Sequence, residues 1–165
     1  MVQEEFMTIS EFPNYEISSS GRVFNRDTGR EMVLSPTMQG DPTVGLVRDG
    51  IQYRRSVKVL VAEAFVPGQT DVFDTPIQLD GDKRNVTAEN IVWRPRWFAW
   101  KYARQFSIVQ PNWYFMGPIF DVVNSIQYKN IIEAAMATGS LCEDIHYSII
   151  NETHVFPLGE RYVYM

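Results

Sequence analysis

Val57-Lys-Val-Leu-Val-Ala-Glu-Ala-Phe65 is the stretch at which the hydrophobic pattern of the chain changes from that of strands to that of a helix. Apolar residues recur in it at intervals of three and four, which is the pattern of a helix with one apolar face. The positions on this face are Val57, Leu60, Val61, Ala64 and Phe65. Pro67-Gly68 follows and ends the helix. The stretch therefore predicts a helix over residues 57–65, with strands before it and a separate element after it.

Upstream of this helix, the first 56 residues contain short alternating runs that are separated by turn residues. The turns are indicated by Asp27-Thr-Gly29 and by Arg48-Asp-Gly50, and the second of these is typical of a hairpin. The runs that predict strands are Tyr15–Ile17, Arg22–Phe24, Val44–Val47 and Ile51–Tyr53. Residues 1–56 are therefore predicted to form a small antiparallel β module.

Downstream, residues 57–95 form a second predicted unit that begins with the helix. An apolar stretch around Ile77 leads into the loop Asp80-Gly-Asp-Lys83. A short polar helix over residues 87–90 and a strand at Ile91-Val-Trp93 complete the unit.

The remaining residues divide into a linker and a C-terminal module. We expect a helix over residues 96–106 and an aromatic segment over residues 112–117, and together they make residues 96–117 a linker. Residues 118–165 predict a strand at 119–123, helices at 130–138 and 143–151 joined by a turn at Gly139, and a closing strand at 159–164. The predicted fold class is α+β.

Composition excludes several classes of protein. No run approaches the ~18 apolar residues of a membrane span, and the acidic N-terminus lacks the apolar core of a signal peptide. A single cysteine, Cys142, excludes an internal disulfide and favours synthesis in a reducing compartment. One Cys and two His cannot make a zinc finger or zinc ribbon. We expect no metal and no cofactor.

The net charge of −5 disfavours DNA as a partner, because duplex binding depends on Lys and Arg displacing counterions from phosphates. Residues 1–100 carry 11 Lys and Arg against 14 Asp and Glu, and residues 101–165 carry 4 against 6. Neither half is basic. An acidic chain can still present a local basic stripe, so DNA binding stays open.

Four segments together resemble the phage HNH homing endonucleases. The first is Phe12-Pro-Asn-Tyr-Glu-Ile-Ser18 with Gly21-Arg-Val23 and Thr28-Gly-Arg30, which is similar to the β module that begins many of these enzymes. The others are Leu60–Phe65, then Leu79-Asp-Gly-Asp-Lys83 with Asn85, Asn90 and Trp93, and finally Ile132-Glu-Ala-Ala135 with Ile145 and Gly159-Glu-Arg-Tyr162. The resemblance covers nearly the whole chain and implies a ββα-type HNH unit followed by a helix-turn-helix repeat.

The resemblance also implies a metal-dependent nuclease site, but this chain departs from it at the decisive positions. Where the family has an acidic metal ligand and a His general base, this chain has Ile77 and Gln78, and Lys58 replaces an upstream His. Gln cannot take a proton near neutral pH, and Ile offers no oxygen to a hard cation. Asn90 remains at the position of a ligand Asn, although capping a helix or turn is its other possible role. We expect no catalytic residues and no bound metal.

Basic residues near this unit have two possible roles. Arg54, Arg55 and Lys58 form a cluster that contacts phosphate or pairs with the many carboxylates of the chain. Lys83 and Arg84 are likewise candidates for nucleic-acid contact, although a solvated turn that joins a strand to a helix is the favoured interpretation.

Aromatic residues supply the other candidate surface. Trp97, Trp100, Lys101 and Arg104 recur at helical spacing, and Trp113 and Tyr114 follow in the linker. The resemblance to HNH homing endonucleases implies that the segment over residues 97–104 lies along DNA. Trp, Tyr and Arg are also enriched at protein interfaces, and packing within the chain's own core is the third possibility. The orientation of Trp97 and Trp100 decides whether they belong to a surface or to the core.

The C-terminal helices lack the chemistry of a DNA reader. Between Gln105 and Glu160 the only Lys or Arg is Lys129, and the second predicted helix begins with Glu143 and Asp144. Acidic residues suit the N-terminus of a helix but repel phosphate.

We therefore expect an inactive HNH-derived phage protein that binds another protein, as a virion component or an accessory factor. Its expected location is the host cytoplasm during infection, with incorporation into the virion as a further possibility. A nuclease-dead DNA-binding regulator is the alternative, and a residual HNH nuclease is the third hypothesis.

Overall fold

The computed structural model describes residues 3–165, which divide near residue 96 into two compact units. The predicted boundaries at 56/57 and 117/118 fall inside these units. The longest helix has 12 residues, well short of the ~20 needed to cross a bilayer, and no helix among residues 3–165 is long and apolar enough to do so.

The first unit contains two small antiparallel sheets, one helix and one two-stranded hairpin. One sheet has the order β1-β2-β3-β4, the second has β5-β6-β7, and the hairpin pairs β8 with β9. The elements are β1 (Phe6–Ile9), β2 (Phe12–Ser18), β3 (Val23–Asn25), β4 (Arg30–Glu31), β5 (Ser35–Pro36), β6 (Pro42–Arg48), β7 (Ile51–Ser56), α1 (Val57–Phe65), β8 (Thr75–Gln78) and β9 (Ile91–Arg94), with a 3-10 turn at Ala88–Asn90.

The hairpin of β6 and β7 shows how local sequence sets the register. Arg48 pairs with Ile51, so that Asp49 and Gly50 form a two-residue loop. Both have positive φ, at 53° and 76°. Glycine and aspartate tolerate this conformation, and it matches the twist of the flanking strands.

Helix α1 forms over the predicted residues and lies at the centre of the first core. Val57, Leu60 and Val61 are buried as predicted, whereas Ala64 and Phe65 are only half-buried and Ala62 is fully buried. The buried face is therefore rotated slightly from the predicted one. The core joins the β module to the hairpin, because the cluster around α1 also includes residues from both sheets and from β9.

The second unit contains four helical segments and a three-stranded antiparallel sheet, and two of its helices contact the sheet. Its elements are α2 (Arg96–Ser107), a 3-10 turn (Asn112–Phe115), β10 (Ile119–Asp121), β11 (Ile126–Tyr128), α3 (Ile131–Thr138), α4 (Cys142–Asn151) and β12 (Tyr162–Tyr164). The mixed α+β class is confirmed.

Details of this unit differ from the predicted elements. The strand predicted at 119–123 ends at Asp121, whose carboxylate accepts from the backbone N–H of Val123 at 2.9 Å and so turns the chain. Strand β11 was not predicted, because three residues after a turn carry little periodicity. The closing strand is shorter than predicted and begins at Tyr162.

The predicted pair of C-terminal helices is present. Asn130 caps α3, since its side-chain oxygen accepts from the N–H of Glu133 at 3.0 Å, and Gly139 ends the helix with φ of 65°. Helix α4 begins one residue before the predicted start, at Cys142.

Candidate functional site

The two positions that the resemblance assigns to the acidic ligand and the base lie at the end of β8. Ile77 and Gln78 are both buried, with 5% and 7% of their surfaces exposed. The side-chain amide of Gln78 donates from Nε2 to the backbone carbonyl of Lys83 at 2.7 Å. Ile77 contributes an apolar side chain, and Gln78 contributes an amide that is already engaged in the loop that follows.

That loop is organised by Asp80. One carboxylate oxygen accepts from Asn90 Nδ2 at 2.9 Å and from the N–H of Asp82 at 2.9 Å, and the other accepts from Asn85 Nδ2 at 2.7 Å. In return, Asn90 Oδ1 accepts from the N–H of Asp80 at 3.1 Å, and Asn90 Nδ2 also donates to the carbonyl of Asn85 at 3.0 Å. The polar groups of Asp80 and Asn90 therefore hold the loop closed.

The Asp82 carboxylate forms hydrogen bonds with Arg84. It accepts from the guanidinium of Arg84 at 3.1 Å and from the backbone N–H of Arg84 at 2.9 Å. The side-chain hydrogen bond from Arg84 lowers the pKa of Asp82. Over residues 3–165, no three His, Cys, Asp or Glu side chains come together in a way that could hold a metal ion.

Lys58 is the second residue of α1 and is half-buried. Burial lowers the pKa of its ammonium group; the Asp41 carboxylate opposes this change, and the Lys83 ammonium adds to it. Lys83 itself lies 3.7 Å from the Asp41 carboxylate. Lys58 is thus grouped with Lys83 and Asp41, and Lys83 is engaged by an acidic neighbour.

Arg54 and Arg55 are neighbours on β7 with different surroundings. Arg55 pairs with the Glu11 carboxylate at 3.2 Å and lies over the rings of Phe12 and Tyr53 at 5.1 and 5.3 Å. Arg54 lines a polar groove of about 680 Å³. Arg54 is the member of the predicted basic cluster that faces an open polar surface.

The first four aromatic and basic candidates lie on one exposed face of α2. Trp97 and Trp100 expose 56% and 62% of their surfaces. Lys101 lies over the ring of Trp97 at 5.8 Å, and Arg104 lies over the ring of Trp100 at 5.1 Å. Both tryptophans therefore face outward, and each carries a cation on its ring. We call Trp97, Trp100, Lys101 and Arg104 the α2 face.

The other two aromatic candidates are positioned differently. Tyr114 belongs to the second core and exposes only 2% of its surface, and burial raises its pKa to about 12. Trp113 is half-buried and stacks on the His146 ring with centroids 4.7 Å apart. Neither extends the exposed α2 face.

Helix α4 presents no cation to solvent. Its exposed residues are Glu143, Tyr147, Ile150 and Asn151. Its buried residues, Cys142, Ile145 and Ser148, face the second core.

Gln105 was not among the site residues predicted from the sequence. It is 5% exposed, and its Oε1 accepts from the N–H of Cys142 at 3.0 Å at the start of α4. Helical periodicity contained the signal, because Gln105 follows the buried Phe98 and Tyr102 at i+7 and i+3 and is therefore a polar residue on an apolar face.

Comparison with known proteins found one matching family model and one solved structure of similar fold. A family model described as the NUMOD4 motif matches residues 4–46. The structure titled "DNA binding and cleavage by the HNH homing endonuclease I-HmuI" aligns over 98% of this chain and 98% of that chain, with a TM-score of 0.58 and 18% sequence identity. This chain has the fold of an HNH homing endonuclease. No curated protein matches it.

The HNH fold and the NUMOD4 motif confirm the resemblance in its two main parts. The motif spans the β module from β1 to most of β6, and the structural match extends through the hairpin and the second unit. In this fold, Ile77 and Gln78 lie at the end of β8, which pairs with β9.

Proposed function

We propose that this chain is a catalytically inactive protein of the HNH fold that acts by binding another protein. The proposed lack of catalytic activity rests on the identity of Gln78 and on its hydrogen bond. Gln78 stands where the resemblance places the general base, it cannot accept a proton near neutral pH, and its amide is bonded to the Lys83 carbonyl.

The residues around Gln78 also disfavour a catalytic metal, because among residues 3–165 no three His, Cys, Asp or Glu side chains come together in a way that could hold one. Ile77 stands at the position of the acidic ligand, and the polar atoms of Asp80 and Asn90 form hydrogen bonds with each other and with the loop. Mg²⁺ prefers several carboxylate, carbonyl or water oxygens in near-octahedral geometry. Recruiting Asp80 would break the hydrogen bonds that close the loop.

A plasmid assay tests the absence of cleavage. Supercoiled plasmid incubated with excess protein and Mg²⁺ or Mn²⁺ should remain supercoiled. Nicking that Gln78→Leu abolishes would show that the site is active and would contradict the proposal. Nicking that is unchanged in Gln78→Leu and in Asp80→Asn would arise elsewhere than at this hairpin.

The α2 face supports a protein partner. Two exposed tryptophans with cations on their rings form the kind of aromatic and arginine patch that dominates binding energy at protein interfaces. The net charge of −5 and the cation-free surface of α4 disfavour a polyanionic partner. We propose that the partner is a phage or host protein, met in the host cytoplasm during infection or in the virion.

Purification from infected cells or from virions tests this part. We expect the tagged chain to be recovered in a stoichiometric complex, and Trp97→Ala with Trp100→Ala to lose the partner. Phe115→Ala is the matched control, because Phe115 is an exposed aromatic residue of the same unit that lies outside the α2 face. Recovery of a free monomer would contradict a protein-binding role.

A nuclease-dead DNA-binding protein is the second candidate, and the groove on the first unit favours it. Arg30 and Arg54 line this groove, and neither forms an ion pair with a carboxylate among residues 3–165. The HNH homing endonuclease of similar fold is described as binding DNA. Duplex binding that weakens steeply with salt and with Arg30→Gln and Arg54→Gln would support this candidate, and no binding at ~50 mM salt would remove it.

A further inference from the structure

A cavity of about 300 Å³ opens beside the α2 face in the second unit. Trp100, Lys101 and Arg104 line it from α2, Glu143 lines it from α4, and Gln105 and Tyr114 contribute buried surface. Leu141 and Ile108 add apolar lining. The cavity therefore combines an exposed indole, charges of both signs and a buried amide within a single concave site.

Gln105 supplies the observation that indicates a ligand. Its Oε1 is occupied by the N–H of Cys142, but its Nε2 has no hydrogen-bond partner among residues 3–165, although the residue is only 5% exposed. An unsatisfied buried donor costs roughly 1–3 kcal/mol. Such donors are rare in native proteins, and a water molecule or a ligand atom beside the side chain would supply the missing acceptor.

The charges around the cavity show what kind of acceptor fits. Arg104 forms no ion pair with a carboxylate over residues 3–165, and its guanidinium is held over the ring of Trp100. Burial raises the pKa of Asp144, and the positive charge of the nearby Lys101 lowers it by a smaller amount. Because Lys101 already interacts with this carboxyl group, Arg104 is the better cation for a ligand. Glu143 is an exposed acceptor at the start of α4.

We propose that this cavity binds an Asp or Glu side chain of an extended segment of the partner protein. The ligand carboxylate would accept hydrogen bonds from Gln105 Nε2 and from Arg104, and the segment's own backbone N–H would donate to Glu143. Apolar neighbours of the acidic residue would contact Leu141 and Ile108. This inference rests on the proposed function, in that the partner is a protein.

The same residues argue against a nucleic-acid strand as the occupant. A phosphate entering the cavity would meet the carboxylate of Glu143 opposite Arg104 and Lys101, and it would find no cation on the exposed side of α4. A peptide carries both the acceptor that Gln105 lacks and a donor for Glu143, whereas a phosphate carries only acceptors near neutral pH.

Nuclear magnetic resonance of the full chain tests the proposal directly, because a glutamine side chain gives its own pair of N–H signals. The probe is the capped peptide acetyl-Gly-Leu-Asp-Leu-Gly-amide, and the control peptide has Asn in place of Asp. We expect saturable shifts of the Gln105 side-chain signals and of the Trp100 indole N–H, with at least about ten-fold weaker binding of the control peptide. Unmoved signals, equal binding of both peptides, or shifts produced by oligothymidylate in place of the peptide would overturn the proposal.

Two variants place the binding at the cavity. Gln105→Glu keeps an oxygen for the N–H of Cys142 but replaces the free donor with a negative charge, and it should weaken the acidic peptide by about ten-fold or more. Arg104→Gln removes an exposed cation and should weaken it by several-fold even where Gln105→Glu fails to fold. Lys129→Gln is the matched control, since Lys129 is an exposed cation of the same unit outside the cavity, and it should leave affinity unchanged. Equal affinities of Arg104→Gln and Lys129→Gln for the acidic peptide would overturn the assignment of the cavity. Failure of the proposed function would be seen separately, in the plasmid assay and in the purification of the partner complex.

Discussion

The amide of Gln78 donates to the backbone carbonyl of Lys83 across 2.7 Å and thereby ties the end of β8 to the loop that follows it. The donor is a side chain at the position where the resemblance places a catalytic base. Its present partner is the backbone of the chain itself, so the residue stabilises the loop. A residue in this role should matter for stability.

Gln78→Met should therefore destabilise the first unit. The substitution keeps the length of a buried side chain but leaves the Lys83 carbonyl without its donor, which costs ~1–3 kcal/mol. Urea denaturation followed by circular dichroism measures the loss. Gln127→Met on β11 is the control, because Gln127 is exposed, and its effect should stay within about 0.5 kcal/mol. Equal stability of Gln78→Met and the unaltered chain would show that the hydrogen bond contributes nothing.

Asp80 and Asn90 should act as one unit. The Asp80 carboxylate accepts from the Asn90 side-chain amide, and the Asn90 side-chain oxygen accepts from the backbone N–H of Asp80. Either substitution therefore removes the bond between the two side chains that holds the loop closed. Asp80→Ala and Asn90→Ala should each lower the free energy of unfolding by ~2 kcal/mol, and the double variant by much less than the sum, with a coupling of ~1 kcal/mol or more. EDTA should change none of these values, because the loop is closed by protein groups. A metal-dependent midpoint of unfolding would contradict this account of the loop.

The second core should lose stability at alkaline pH. Burial raises the pKa of the Cys142 thiol from 9.0 to about 12 and that of the Tyr114 hydroxyl from 10.0 to about 12. The folded state therefore favours the neutral forms, and their contribution is complete below pH 9 and falls as the pH rises toward 12. Unfolding midpoints measured at pH 8, 9, 10 and 11 should decline.

The variants Cys142→Ala and Tyr114→Phe isolate the two groups in this decline. Each removes one titrating group and should flatten the slope, which is at most ~1.4 kcal/mol per pH unit for each group. Native Cys142 should also resist alkylation at pH 8 until the chain is unfolded, because the thiol is buried and neutral. Rapid labelling of the folded chain would contradict the burial.

Gly21→Ala should disrupt the packing between the NUMOD4 motif and the loop after β8. Gly21 has φ of +90°, and a Cβ there would lie 2.4 Å from Cγ2 of Val86. Backbone strain and the clash together should destabilise the chain by ~1–3 kcal/mol. Thermal denaturation measures the loss. Val86→Ala in the same chain should recover part of it, whereas Gly29→Ala, which meets no atom within 4 Å but shares a positive φ of 65°, reports the strain alone.

Much of the fold was predictable because its signals are local. Helix α1 was predicted over its full length from apolar spacing, and the hairpin at Asp49-Gly50 from residues that tolerate positive φ. The residues at the two positions that the resemblance assigns to an acidic ligand and a base, Ile77 and Gln78, could likewise be read from the sequence. Ile77 offers no oxygen ligand, and Gln78 cannot act as a base near neutral pH. Strand β11, at the edge of the sheet in the second unit, was missed because three residues show too little periodicity.

Sequence by itself determined which chemistry Gln78 lacks, and only the tertiary structure decided what its amide does in place of that chemistry. The identity of a side chain limits proton transfer and metal ligation, but its hydrogen-bond partner depends on how the loop closes, and Asp80 meets Asn90 only when β8 pairs with β9. The exposure of the α2 face and the unpaired amide of Gln105 were likewise decided only by the tertiary structure. Helical spacing places Trp97 and Trp100 on one side, but only the packing of the core against the opposite side leaves them exposed and buries an amide donor without a partner.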